Sequence, residues 1–136
     1  ISSKVVMSLL RISVRSFRTS VPRHAVVEIS ADDFQSKVLE SKRPVVVDFY
    51  ADWCGPCKRL GPMLDEIHNK YKSKVDLYSL NVDDTDAMEI IQKLEISSIP
   101  DVRMFHEGSE KANFIGVLPN QELETFFENA AKLSKE

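Results

Sequence analysis

Val45-Val46-Val47-Asp48-Phe49-Tyr50-Ala51-Asp52-Trp53-Cys54-Gly55-Pro56-Cys57-Lys58 holds both cysteines of a 136-residue chain. Its first six residues carry β-branched and aromatic side chains at odd and even positions alike. That is the pattern of a central strand buried on both faces. Leu60, Leu64, Ile67 and Tyr71 then recur at helical spacing, so the cysteines fall on a strand-to-helix turn. Pro56 sits at the helix start, where its fixed φ suits the first turn and its missing N–H costs nothing. Gly55 lets a partner approach the turn closely.

Two thiols at this spacing, at the start of a helix, suit disulfide exchange. The thiolate is the nucleophile, and a helix start with its unpaired N–H groups lowers a cysteine pKa from about 8.5 to roughly 3.5–7.5. Cys54 is expected to be the ionised nucleophile. Cys57, one turn further in, is expected to be more buried and to stay protonated until needed. A structural zinc site would want four ligands, commonly from two such pairs. There is no second pair, and His24, His68 and His106 are scattered along the chain, so no metal is expected.

Asp48 stands mid-run among Val46, Val47, Phe49 and Tyr50. Burial there should raise its pKa and keep it partly protonated near neutrality. Such a group is able to relay a proton to or from Cys57.

Outward from this stretch the elements alternate. Val26–Ile29 reads as a short strand. Ser30, with Asp33 at the third helical position, starts a helix that runs to about Glu40 and buries Phe34, Val38 and Leu39. Ser41–Pro44 connects to the central strand. Pro62 marks a kink in the helix after the cysteines. Val75–Val82 is a strand and Ala87–Leu94 a short helix. Val102–His106 and Ala112–Val117 form a hairpin across Glu107-Gly108. Asn120 caps a last helix carrying Leu123, Phe126, Phe127 and Leu133. The fold class is α/β: a central mixed five-stranded sheet flanked by four helices.

Charge divides the chain. The sequence has 18 lysines and arginines against 21 aspartates and glutamates. Lys4, Arg11, Arg15, Arg18 and Arg23 precede the first acid, Glu28, so residues 25–136 carry a net charge of −8 (13 basic against 21 acidic). A body this acidic is a poor ligand for nucleic acid or anionic membrane. Two cysteines are too few for a disulfide-scaffolded module. Residues 1–24 are basic and serine-rich, with Leu10, Val14, Phe17 and Val21 at helical spacing beside Arg11, Arg15 and Arg18. That composition is expected of a mitochondrial transit peptide, with residues 25–136 as the folded domain.

Asp48-Phe49-Tyr50-Ala51-Asp52-Trp53-Cys54-Gly55-Pro56-Cys57-Lys58 resembles the active-site segment of the thioredoxin family. The likeness covers residues 26–133 and includes Pro62 at the family's helix kink, Ile99-Pro100 at its cis-proline, Gly108 in the hairpin turn and Gly116 in the last strand. The basic leader points to the mitochondrial type, and Arg15-Ser16-Phe17-Arg18-Thr19-Ser20 resembles a matrix processing site, placing the mature start near Ala25.

The resemblance implies a thioredoxin fold and a protein-disulfide reductase that carries electrons in cell redox homeostasis. Cys54 attacks a target disulfide, and Cys57 resolves the mixed disulfide, leaving Cys54–Cys57 oxidised. No bound cofactor is implied. An NADPH-dependent thioredoxin reductase restores the dithiol, and peroxiredoxin and methionine sulfoxide reductase are implied targets. Gly55, Pro56 and Pro100 support the site, and Trp53, Ile99, Pro100 and Gly116 form the surface that receives an extended target segment. A monomer is expected. Two other readings remain open: a disulfide-forming oxidant of the same fold, and a redox-gated binding module without turnover.

Three residues depart from the family pattern. Asp101 replaces threonine after Pro100, and a carboxylate so close to Cys54 is expected to oppose its ionisation. Ser79 replaces a lysine near the buried aspartate, leaving Asp48 without a cationic neighbour. Tyr50 replaces a tryptophan.

Overall fold

Two parallel and two antiparallel pairings put Val45–Tyr50 at the centre of a five-stranded sheet. The computed structural model describes residues 26–135; the leader read in residues 1–24, its processing site and His24 lie outside them. The strands are β1 Val27–Glu28, β2 Val45–Tyr50, β3 Asp76–Asn81, β4 Asp101–His106 and β5 Ser109–Ile115. They lie in the order β1-β3-β2-β4-β5. β1 and β2 run parallel to β3, and β2–β4 and β4–β5 are antiparallel. Three helical segments join them and a fourth follows β5. α1 is a 3₁₀ turn, Ala31–Asp33, followed by a π-helical stretch, Gln35–Leu39. α2 is Gly55–His68 and α4 is Asn120–Leu133. α3 is a 3₁₀ turn, Thr85–Ala87, continuing as an α-helix over Met88–Lys93.

β2 is central because it has apolar matter on both sides. Val46 faces a core with Leu60, Leu64 and Ile67 of α2 and Leu123, Phe127 and Ala130 of α4. Val45, Val47 and Phe49 face a second core with Phe34, Val38, Leu80, Ala87 and Phe105. Full burial of such side chains contributes roughly 1.5–3 kcal/mol each, so strand register is tightly set. Asp48 follows Val46 on the α2/α4 face. Asp101 and Arg103 alternate with Val102 and Met104 and so point to the other face, toward α1 and α3.

Several boundaries differ from the sequence reading. Ser30 occupies the N-cap position of α1, but its hydroxyl donates to the Asp33 carboxylate at 3.4 Å and caps no N–H. The Ser30 carbonyl instead accepts the Asp33 N–H at 3.0 Å. Asn120 is the first residue of α4, not its cap. Pro119, in extended backbone, holds that place, and its carbonyl accepts the N–H groups of Glu122 and Leu123 at 3.0 Å. β5 begins at Ser109 and ends before Gly116, whose φ of +89° breaks the strand. The hairpin turn places Glu107 and Gly108 at φ +54° and +81°, as a two-residue loop between twisted strands requires. α2 runs through Pro62 as one helix.

Candidate active site

The site forms where β2 ends and α2 begins. Cys54 is in extended conformation and is the N-cap of α2, with Gly55 and Pro56 in the first turn. Its sulfur accepts the Cys57 N–H at 3.2 Å. A cap sulfur in this position takes up one of the donors that a helix start leaves unpaired, and it does so better as a thiolate. Cys54 and Cys57 are joined as a disulfide, with Cα atoms 5.3 Å apart.

Cys57 was expected to be the more buried of the two. The two are equally enclosed, at 4% and 5% exposure. The reason is the loop before β4, which lies over Cys54: its sulfur is 3.9 Å from the Ile99 carbonyl oxygen. The Ile99–Pro100 peptide bond is cis. Ile99 packs on the cluster of Ala51, Cys54 and Cys57. The Gly116 N–H donates to the Pro100 carbonyl at 2.9 Å. Cys54, Ile99, Pro100 and Gly116, predicted from separate parts of the sequence, therefore meet in one place.

Trp53 is 70% exposed, which removes it from the core. Its indole N–H donates to the Asp83 carboxylate at 2.7 Å, so a large apolar side chain is held at the surface beside the disulfide. Gly55 is exposed, and a Cβ there would meet nothing within 4 Å. Approach over this turn is open.

Behind Cys57 lies a cleft of about 630 Å³, lined in part by Asp48, Tyr50, Lys58, Pro62 and Ser79. Asp48 is 4% exposed, and burial pushes its carboxyl up to about 7. Its Oδ1 has no hydrogen-bond partner among the described residues. Ser79 is its register partner on β3 and carries no charge; Lys58 is the cation that lines the same cleft. The Tyr50 hydroxyl donates to Glu28 at 2.6 Å. Burial, with Glu28 added, holds the Tyr50 hydroxyl protonated.

Asp101 is not the free carboxylate that the sequence suggested. It is fully buried and clamped by Arg103, with Nε donating to Oδ1 at 2.9 Å and an Nη to Oδ2 at 2.8 Å. The other Nη of Arg103 donates to Glu110 at 2.8 Å. Sequence reasoning passed over Arg103, Glu110 and Asp83. An Asp-x-Arg pair on one strand face was a visible signal for the first. Glu110 and Asp83 needed the hairpin register and the chain path. The histidines are apart: His68 Nε2 lies 2.6 Å from the Val75 carbonyl, and His106 lies at the far end of β4. No helix among the described residues is long and apolar enough to cross a membrane.

A protein-family model for thioredoxin matches residues 25–129. Probable thioredoxin-2 of Caenorhabditis elegans is 43% identical over 100 residues, 74% of this chain and 68% of that protein. Thioredoxin C-2 of Corynebacterium nephridii is 37% identical over 103 residues, 76% of this chain and 94% of that one. The chloroplastic M-type thioredoxin of Spinacia oleracea is 41% identical over 98 residues, and the match spans 53% of its length. Among solved structures, the thioredoxin of Malassezia sympodialis (Mala s 13) superposes with a TM-score of 0.70 at 32% identity, covering 82% of this chain and 95% of that one. The fold is the thioredoxin fold, with the cysteine pair at the start of its second helix. A family match over the folded residues and a redox-active pair at a helix start converge: the chain belongs to the thioredoxin family and is a thiol–disulfide oxidoreductase.

Proposed function

We propose that this protein is a protein-disulfide reductase and electron carrier of the mitochondrial matrix. The observation that carries the reading is the Cys54 sulfur at the N-cap of α2, accepting the Cys57 N–H at 3.2 Å. A thiolate there is stabilised by the helix start and poised to attack. The Cys54 thiolate attacks one sulfur of a target disulfide, and the other target sulfur leaves as a thiolate. Cys57 then attacks Cys54, the second target thiol leaves, and Cys54–Cys57 closes. Asp48 exchanges a proton with Cys57 through the cleft that both line. Trp53, Ile99, Pro100 and Gly116 receive the target as an extended segment alongside the loop carbonyls.

The reducing equivalents come from NADPH through a flavoprotein thioredoxin reductase, in keeping with a reaction that ends on an internal disulfide. Peroxiredoxin and methionine sulfoxide reductase are the proposed acceptors, and the protein works as a monomer in redox homeostasis. Residues 1–24 act as the import leader on the strength of their arginines, serines and amphipathic spacing.

Coupled oxidation of NADPH with a mitochondrial thioredoxin reductase and insulin as acceptor tests the function and the partner together. Sustained turnover is expected. Reduction of insulin by dithiothreitol-treated protein without reductase-coupled turnover would remove the proposed partner, and no insulin reduction at all would remove the function. Placement in the matrix is checked by importing the full chain and residues 25–136 into isolated mitochondria. Protease-protected product is expected from the full chain alone; equal behaviour of the two sinks the leader.

A further inference from the structure

We propose that Arg103 is a positioning residue for the thiol chemistry: it holds the Asp101 carboxylate in the α1/α3 layer, where strand alternation points it, and offsets the charge that Asp101 brings beside Pro100. The inference rests on Cys54 being the attacking thiol.

Asp101 is bonded through the chain to Pro100, and Ile99 touches the Cys54 sulfur. A buried negative charge is screened far less than one at the surface. Yet Asp101 is fully buried, and a bare carboxylate is costly to bury. Arg103 resolves both problems at once. Its planar fork meets both oxygens of Asp101, the geometry that makes guanidinium–carboxylate pairs strong. Arg103 is itself only 8% exposed, and Glu110 of β5 accepts from its other Nη. The hydrogen bonds it donates to Asp101 hold the guanidinium protonated.

Strand alternation makes the arrangement possible. Asp101 and Arg103 lie on one face of β4, opposite Phe49 and Val47 of β2, which carry no charge. β5 offers Asn113 opposite Arg103, and Glu110 beyond the bulge. Asp32 of α1, with Asp86, Glu89 and Lys93 of the α3 segment, lines a cavity that Glu110 also reaches; Glu89 and Lys93 pair with each other. Asp48 and α2 are on the opposite face. The groups near Cys54 itself are Lys58 and Asp52 at the turn, Asp83 behind Trp53, and Asp48. Arg103 is thus the cation in direct contact with Asp101.

The test is the pH dependence of Cys54 alkylation by iodoacetamide in the reduced full chain, with the modified cysteine identified by mass spectrometry. Wild type, Asp101→Asn, Arg103→Met and the double variant are compared. Arg103→Met is expected to raise the apparent Cys54 pKa, and Asp101→Asn to lower it, each by about half a unit to one unit. The double variant is expected to return to within about 0.2 units of wild type, because the two removed charges oppose each other. A merely structural role moves stability without this pair of opposite shifts. An unmoved pKa in Arg103→Met, or a double variant displaced as far as either single, overturns the proposal. Should Arg103→Met fail to fold, Asp101→Asn is compared with the double variant. Both lack the bare buried carboxylate. Asp101→Asn must titrate about half a unit lower, and equal values overturn the proposal. Preferential alkylation of Cys57 in wild type overturns the assignment of Cys54 as nucleophile, and this inference with it.

Discussion

Replacing Cys54 with serine is expected to reduce insulin-disulfide reduction to background, a loss on the order of 10³-fold or more. Only the sulfur at the N-cap of α2 accepts the Cys57 N–H in a position that favours the anion. A serine hydroxyl accepts the same hydrogen bond but stays protonated at neutral pH, and so it caps the helix without attacking. Folding should therefore survive while chemistry is lost. Cys57→Ser is expected to give a different failure. Cys54 still attacks, but nothing expels the target from the mixed disulfide, so turnover stops after one event. Non-reducing electrophoresis and intact mass of the product should show a covalent adduct for Cys57→Ser and none for Cys54→Ser. Reduction that persists in Cys54→Ser, or an adduct that forms through Cys57 instead, would reverse the assigned order of attack.

The place of Cys54 at the start of α2 was readable in the sequence because local physics sets it. A run apolar at both odd and even positions must be a central strand, and Gly55-Pro56 then opens a helix with Cys54 as its cap. Asp48 was legible for the same reason: an acid inside a two-faced apolar run has nowhere to go but inside. Burial did bring it to about 7. What was not legible depends on segments distant in sequence. The equal burial of Cys54 comes from the Ile99–Pro100 loop, about 45 residues away in the chain. Only the path of the β3–α3 connection brings Asp83 to the Trp53 indole.

Asp101 shows the difference most sharply. Its position after Pro100 suggested a charge aimed at the thiol. In the fold, a residue after the proline belongs to β4, and its side chain must alternate away from α2. The ion cluster with Arg103 and Glu110 then depends on the β4–β5 register, which shifts between Met104 and Phe105. A one-residue change in that bulge would place Glu110 on the other face. No local propensity determines such a register. The departures at α1 and α4 have a like cause: Ser30 and Asn120 have the right chemistry for caps, but the chain direction at each helix start presents a backbone carbonyl instead.

Asp48→Asn is expected to move stability and activity in opposite directions. The ordinary aspartate value is 3.8, and in the folded protein burial raises it to about 7. Between these values the folded state holds a proton that the unfolded state has lost, so stability falls as pH rises through this window. The shift corresponds to roughly 4 kcal/mol lost between about pH 4 and pH 8, and little solvent discount applies to a group 4% exposed. Asparagine has nearly the same shape, carries no charge, and is spared this loss. Urea denaturation of the reduced proteins should give similar stabilities near pH 4 and a variant that is more stable by a few kcal/mol at pH 8. Activity should go the other way. With Asp48 and Cys57 lining one cleft, loss of the acid removes the group placed to take the Cys57 proton, slowing reduction on the order of 10²-fold at pH 7. The wild-type rate should also show an ionisation near 7 that the variant lacks. A purely structural Asp48 would leave both the rate and that ionisation untouched. Parallel stability curves from pH 4 to 8 would instead show that Asp48 is more hydrated than its burial implies.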